Sequence, residues 1–244
     1  MGIVLGDKFL SGLSCVSLLA VAVFVSSCAT AKVEMADAYF NGNTISGEKM
    51  AVGPVVQIGG EPLRSHEAEA MRNQLTRAIT NKRNYITVSH FSGPNIIHRT
   101  GGIAEDGISH SIRSAAKQKG IRFLVLTEVT ENCVSHDVDK TCEERTEDIV
   151  DDCGKIIGHR HQGSTYTTTS RSKRKVAARF KALDLESGKT VWVSRSDSSN
   201  TASCSSQSTC CYPTAPPFPA PPSADGIGMT IARAAVRKLP RGGM

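Results

Sequence analysis

Apolar and polar residues alternate along this chain in blocks that read as strands and helices. Lys49 to Ile58 (KMAVGPVVQI) is a short apolar run, the pattern of a buried strand. From His66 to Lys82, apolar residues recur at Ala68, Met71, Leu75, Ala78 and Ile79, which is helical spacing with one apolar stripe. Tyr85 to Phe91 alternates through Ile86, Val88 and His90 and reads as a strand. Glu105 to Lys119 places Ile108, Ile112, Ala115 and Ala116 on one helical face, with Gly120 where a C-cap belongs. Ile121 to Val129 is a strong strand with Phe123, Val125 and Val129 on one side.

Arg174 to Leu183 sets Val176, Ala178, Phe180 and Ala182 against Lys175, Arg179 and Lys181, the alternation of a sheet buried on one face. Asp184 to Lys189 is a turn: Asp184 opens it and Gly188 supplies positive φ. Thr190 to Ser194 returns as a strand carrying Trp192 as its large core residue. Gly226 to Leu239 is a helix with Ile227, Ile231, Ala234, Ala235, Val236 and Leu239 inward, stopped by Pro240. The order is β-α-β-α-β-β-β-α. One apolar stripe per helix requires helices packed on a sheet. The expected fold is therefore α/β (α+β): a single mixed sheet with a C-terminal antiparallel meander, helices on it, and two Cys-rich loop insertions at 132–170 and 197–222.

The N-terminus departs from this pattern. Lys8 precedes an apolar run from Phe9 to Val25, the length of a signal-peptide core and short for a membrane span. The run ends in Val25-Ser26-Ser27-Cys28, which resembles a bacterial lipobox. The resemblance implies that the Cys28 thiol takes a diacylglycerol, that cleavage precedes it, and that its new amine is acylated. Ala29 in place of Asp resembles the signal for passage to the outer membrane. Residues 1–27 are then a signal peptide, 28–48 a tether with room for an edge strand, and 49–240 a periplasmic domain. An uncleaved membrane anchor is the alternative.

Composition narrows the function classes. The 244 residues carry a net charge of +6 and only 7 Phe, 4 Tyr and 1 Trp. That is too few aromatics for base-stacking platforms, so no nucleic-acid partner is expected. Hydrophobic residues are 39%, against a polytopic membrane protein. The 8 cysteines are the unusual count. Cys15 falls in the leader and Cys28 in the lipobox. Cys133, Cys142, Cys153, Cys204, Cys210 and Cys211 remain, and in an exported chain they are disulfide candidates with 15 connectivities open. Both excursions leave the meander at one end, so at least one bridge between the 133–153 and 204–211 stretches is expected.

The strand with Val176, Ala178, Phe180, Ala182 and Leu183, followed by Asp184, Ser187, Gly188, Lys189 and Trp192, resembles the curli-assembly (CsgG-type) and penicillin-binding-protein activator lipoproteins. The resemblance spans roughly residues 50–130 and 174–239. It implies a bacterial outer-membrane, periplasm-facing lipoprotein whose partners are membrane lipid, through acylated Cys28, and an envelope protein or peptidoglycan-associated factor. A curli-type channel also needs membrane-spanning hairpins with alternating apolar residues. The excursions are rich in Cys, Thr, Ser and charge, which does not fit a lipid-facing barrel. The same turn string resembles a β-propeller blade, but it occurs once and propellers repeat.

Charge is segregated in this region. Asp137 to Asp152 holds eight acids and two bases, whereas Arg171 to Lys181 holds six bases and no acid. The two arms of one hairpin would attract each other; the alternative is a docking face for an anionic glycan, lipid headgroup or protein. Pro213 to Pro222 has six prolines in ten residues and must be extended, as a stiff spacer or a peptide ligand.

No G-x-S-x-G, H-E-x-x-H or G-x-G-x-x-G occurs, and the Gly188-Lys189-Thr190 string lacks the earlier P-loop glycine. Cys153, His159 and His161 do not have the usual zinc-ligand spacing. The expectation is a non-enzymatic envelope interaction, assembly or regulatory lipoprotein with no catalytic residues, no cofactor and no metal. An envelope hydrolase or a metal-binding periplasmic protein is the alternative.

Overall fold

The structure is a computed structural model. It describes residues 25–26, 29–41, 45, 47–82, 87–91 and 110–240. Residues 1–24 and 27 of the leader, Cys28, the strand positions expected at 85–86 and the helical positions expected at 105–109 lie outside the described residues.

The strands are β1 (Val25–Ser26), β2 (Thr30–Ala36), β3 (Lys49–Gln57), β4 (Thr87–His90), β5 (Ile121–Val150), β6 (Ile156–Asp184) and β7 (Thr190–Ser208). The helices are α1 (Ser65–Lys82), α2 (His110–Gln118) and α3 (Ala224–Val236). One mixed sheet runs β1-β7-β6-β5-β3-β4, with β2 also paired to β7. β3 is parallel to β4 and β5, whereas β5, β6 and β7 form the expected antiparallel meander.

Alternation divides the core between the two sheet faces. On one, Met50, Val52, Phe123, Val125, Val176, Ala178, Phe180 and Trp192 pack under α1 and α3 through Met71, Leu75, Ile79, Ile227, Ile231 and Ala235. On the other, Leu124, Leu126, Leu183 and Leu185 meet Ala116 of α2. Met71, Leu75, Ile79, Val176, Ala178, Phe180 and Trp192 are among the apolar positions read from spacing, whereas Ala68 is only half-buried. Gly188 has φ +75°, and its N–H bonds to the Asp184 carbonyl at 2.8 Å, closing the turn into β7.

Two differences from the expected fold concern polar segments. First, the 132–170 insertion is not a loop. β5 runs on to Val150, turns through Asp151–Lys155, and returns as β6, antiparallel from Val150↔Ile156 to Phe123↔Asp184 with register shifts at Val129/Glu131, Arg145/Thr146 and Ile149/Val150. The 20 residues from Glu131 to Val150 project about 65 Å at 3.4 Å per residue. Secondly, 197–208 extends β7 along this ribbon as far as Tyr166↔Ser208, so only 209–222 of the second insertion is irregular. These strands were hidden because their faces meet no apolar core, so no period-2 hydrophobic signal marks them. The edge strand for which the 28–48 tether left room is β2, paired with β7 from Thr30↔Asp197 to Ala36↔Trp192.

Candidate functional site

The ribbon is the part of the molecule that reaches furthest from the core, and its surfaces are built in layers. Along one face of β6, Thr168, Ser170 and Ser172 are fully buried although no apolar element covers them. The cover is the Pro-rich run. Thr168 Oγ1 donates to the Pro213 carbonyl at 2.9 Å, Ser170 Oγ to that of Pro216 at 2.6 Å, and Ser172 Oγ to that of Pro219 at 2.6 Å. Acceptors three residues apart match the three-residue turn of polyproline II. Proline has no N–H, so such a segment presents carbonyls and needs donors; alternate hydroxyls of a strand supply them. Ser172 spends its proton on Pro219, so the Nδ1–H of His136 must donate in the 2.9 Å bond to Ser172 Oγ. The His136 ring packs on Phe218 at 4.8 Å between centroids, and Tyr166 on Tyr212 at 5.1 Å. The spacer is thus a strap bound along the ribbon.

At the far end, Asp151 Oδ1 accepts the Cys153 and Lys155 N–H groups at 2.9 and 2.8 Å, and Gly154 takes φ +77°. This turn displays Ile149, Val150, Ile156 and Ile157, the last two 52% and 64% exposed. Acids surround them. His159 Nδ1 lies 2.8 Å from Asp148 Oδ1, and Gln162 Nε2 donates to Glu147 at 2.9 Å. The apolar tip was not singled out in the sequence. Its signal was Ile149-Val150 and Ile156-Ile157 flanking an Asp-Asp-Cys-Gly turn.

The two charged runs do not neutralise each other as expected. The register carries residues 143–150 past the basic run to lie opposite 156–165. Arg171–Asp139, at 3.0 Å, joins the two runs. Four of the other five basic residues find acids elsewhere: Arg174–Glu67 at 2.9 Å, Lys175–Glu131 at 2.9 Å, Arg179–Glu34 at 2.9 Å and Lys181–Glu128 at 2.8 Å. Lys175 lies beside the Glu131 carboxylate and is raised above its ordinary value by that bond, while Glu131 is held low by it, against some desolvation.

Glu67 on α1 is buried at 4% exposure. Its carboxylate accepts the Arg64 N–H at 3.0 Å, closing the first turn of α1, and the Ala224 N–H at 3.5 Å, where α3 begins. With Arg174 it ties both helices to the root of the ribbon. Burial pushes its carboxyl up, but the Arg64 N–H and the Arg174 guanidinium outweigh burial and hold it below the usual range.

At the opposite end of the sheet an open cleft of about 740 Å³ is lined by Glu48, Arg113, Ser114, Lys117, Arg122 and Glu186 among others. Arg122 is its centre. It bonds Glu48 at 2.6 Å and the Tyr39 hydroxyl, lies 3.6 Å from Glu186, and stacks 5.2 Å over the Phe123 ring. Desolvation opposes its charge, yet these bonds drive its pKa up. In the described lining Arg122 pairs with Glu48 and Glu186.

The six cysteines are free thiols, so the expected bridge between the two stretches is not formed. For Cys204, register explains it. Cys133 faces Lys175 and Cys142 faces Tyr166 on β6, while Cys204 faces Ser170 from β6's other side. A β5 cysteine and a β7 cysteine therefore stand two strand spacings apart, about 10 Å, beyond the roughly 7 Å limit for Cα atoms. Cys153 sits in the distal turn. Cys210 and Cys211 do meet, with Sγ atoms 3.3 Å apart. Burial and the Glu131 carboxylate push the Cys133 thiol up. No group of three or more His, Cys, Asp or Glu side chains able to hold a metal occurs among the described residues. Nor is any described helix long and apolar enough to cross a membrane.

No family model matches the chain, and no curated protein matches it. Solved structures with a related arrangement include the PelC dodecamer from Paraburkholderia phytofirmans, at 10% identity and TM-score 0.43, covering 88% of this chain and 99% of that one. The LpoB C-terminal domain from Salmonella enterica aligns at 10% identity and TM-score 0.34, over 64% of this chain and 86% of its own. Lipoprotein GNA1162 from Neisseria meningitidis aligns at 13% identity and TM-score 0.31, over 67% and 86%. Likenesses this distant carry no functional argument.

Proposed function

We propose that this chain is a non-enzymatic, lipid-anchored protein of the bacterial envelope, held at the periplasmic face of the outer membrane and acting by presenting its ribbon to an envelope protein. The observation that carries the reading is the short path from the lipobox cysteine to the sheet. Ala29 alone separates Cys28 from Thr30, which pairs with Asp197 of β7. Two residues span about 7 Å at most. Acyl chains on Cys28 would therefore hold the ribbon's root against the bilayer with no slack, so the anchor would orient the domain as well as retain it. Three chains exceed the two signals that stable anchoring takes. Confinement raises the effective concentration of the tip for a partner in the same membrane. Cleavage before Cys28 would remove β1 and leave the β7 edge beyond Asp197 open.

The test separates anchoring from contact. Cys28→Ala should shift the protein from the membrane to the soluble fraction and abolish function. Ile156→Ser/Ile157→Ser should stay anchored and folded but lose crosslinking to its partner. Full function in soluble Cys28→Ala protein would count against the tether and favour a hydrolase, whose turnover needs no anchor.

A further inference from the structure

Where β7 ends and the strap begins, the chain makes a turn through Cys210 and Cys211, and both thiols face solvent. Neither flank of the turn is loose. Tyr212 packs edge-on against Tyr166, with Lys140 Nζ 5.7 Å from the centroid of its ring, and Pro213 takes the Thr168 hydroxyl. On the other side Ser208 closes β7 opposite Tyr166. The Cys210 N–H donates to Ser208 Oγ at 3.3 Å, and the same Oγ lies 3.2 Å from Cys210 Sγ. The two sulfurs stand 3.3 Å apart.

The four other described cysteines are spread along the ribbon with no thiol in contact, so this pair is distinct in geometry. It is also distinct in acidity. The Ser208 hydroxyl and the Cys211 thiol hold Cys210 below the usual thiol value, and the resulting charge on Cys210 pushes Cys211 up.

We infer that Cys210 and Cys211 form a dithiol site for a thiophilic centre that takes two cis thiolates, of the class of trivalent arsenic. A centre bonded to both sulfurs at about 2.3 Å, the zinc–thiolate length, subtends about 92° at the observed separation. That angle suits a pyramidal trivalent centre. A tetrahedral ion requires the sulfurs to open to about 3.8 Å at the same bond length. A linear two-coordinate ion requires about 4.6 Å, against the 3.3 Å at which the sulfurs stand. With an organoarsenic oxide, R–As=O, the reaction is a condensation. Two S–As bonds form, the As=O bond is lost, and the two thiol protons leave with its oxygen as water. No oxidant or reductant is consumed. The thiolate of Cys210 attacks first; the bond it forms removes the negative charge that had opposed ionisation of Cys211.

The test uses the full chain kept reduced with a phosphine, phenylarsine oxide as probe, and intact mass as readout. One adduct per chain, with loss of one water, is expected. It should vanish in Cys210→Ser and in Cys211→Ser taken singly. It should persist in a variant with Cys133, Cys142, Cys153 and Cys204 all changed to serine. Circular dichroism of each variant should match the parent, because both thiols are exposed. An adduct that survives either single substitution, or that disappears from the fourfold variant, would overturn the assignment. So would the absence of any adduct on the reduced parent chain.

Discussion

Removing the Glu67 carboxylate should be among the most damaging single changes in this protein. The group is buried and serves three elements at once: the Arg64 N–H at the head of α1, the Ala224 N–H at the head of α3, and Arg174 at the ribbon's root. Glu67→Ala strands the Arg174 guanidinium, whose side chain is only 12% exposed. Breaking a buried pair by deleting one partner costs about 3–5 kcal/mol, and the lost helix closure lies within that figure because the same oxygens make both. With a urea m-value of about 2 kcal/mol/M, the denaturation midpoint should fall by about 1.5–2.5 M. Removing both charges with Glu67→Met/Arg174→Met should recover much of the loss, since an apolar pair needs no compensation. The carboxyl's pKa is lower folded than unfolded. Its contribution is therefore complete above the unfolded glutamate value, about 4.3, and disappears as pH falls through the folded value. The gap between the parent and Glu67→Gln should close over that acid range. A loss below about 1 kcal/mol for Glu67→Ala, or additivity of the two single substitutions at positions 67 and 174, would refute the buried-pair account.

Other positions give sharper contrasts. Trp192 is 1% exposed and its indole N–H finds no acceptor among the described residues, so Trp192→Phe should cost under about 1.5 kcal/mol and Trp192→Ala about 3–5 kcal/mol in urea denaturation. Replacing the strap donors together, Thr168→Val/Ser170→Ala/Ser172→Ala, leaves the Pro213, Pro216 and Pro219 carbonyls without those donors. At about 1 kcal/mol per bond the strap should detach before the core melts, seen as faster proteolysis within residues 209–222 at unchanged Trp192 fluorescence from the core. Gly188→Ala forces a left-handed φ on a residue with a Cβ and drives that Cβ into the Arg113 guanidinium. A penalty of about 1–2 kcal/mol, or a fall in Tm of about 3–8 °C by calorimetry, is expected.

What was readable from the chain was whatever depends on short spacings. The stripe at Met71, Leu75 and Ile79, the alternation Val176-Ala178-Phe180-Ala182, the turn from Asp184 to Gly188 and the core role of Trp192 all appear as read, because a helix or strand repeats its own face every few residues. The mixed sheet follows from the order of those elements. The ribbon did not announce itself this way. Its strands bury hydroxyls instead of aliphatic side chains, and those hydroxyls become a covered face only when a segment 45 to 47 residues later in the chain lies on them. Glu67 looks like an ordinary charge on a helix surface until Arg174, 107 residues away, arrives beside it. The charge runs at 137–152 and 171–181 look complementary in sequence, but hairpin register slides one past the other. Apart from Cys210 and Cys211 the cysteines cluster in number but not in space, since β6 lies between Cys133 and Cys142 on one side and Cys204 on the other. Local order followed from side-chain periodicity; partner choice for buried polar groups was decided by tertiary register, because hydrogen bonds and ion pairs act only within a few ångströms whatever their separation along the chain.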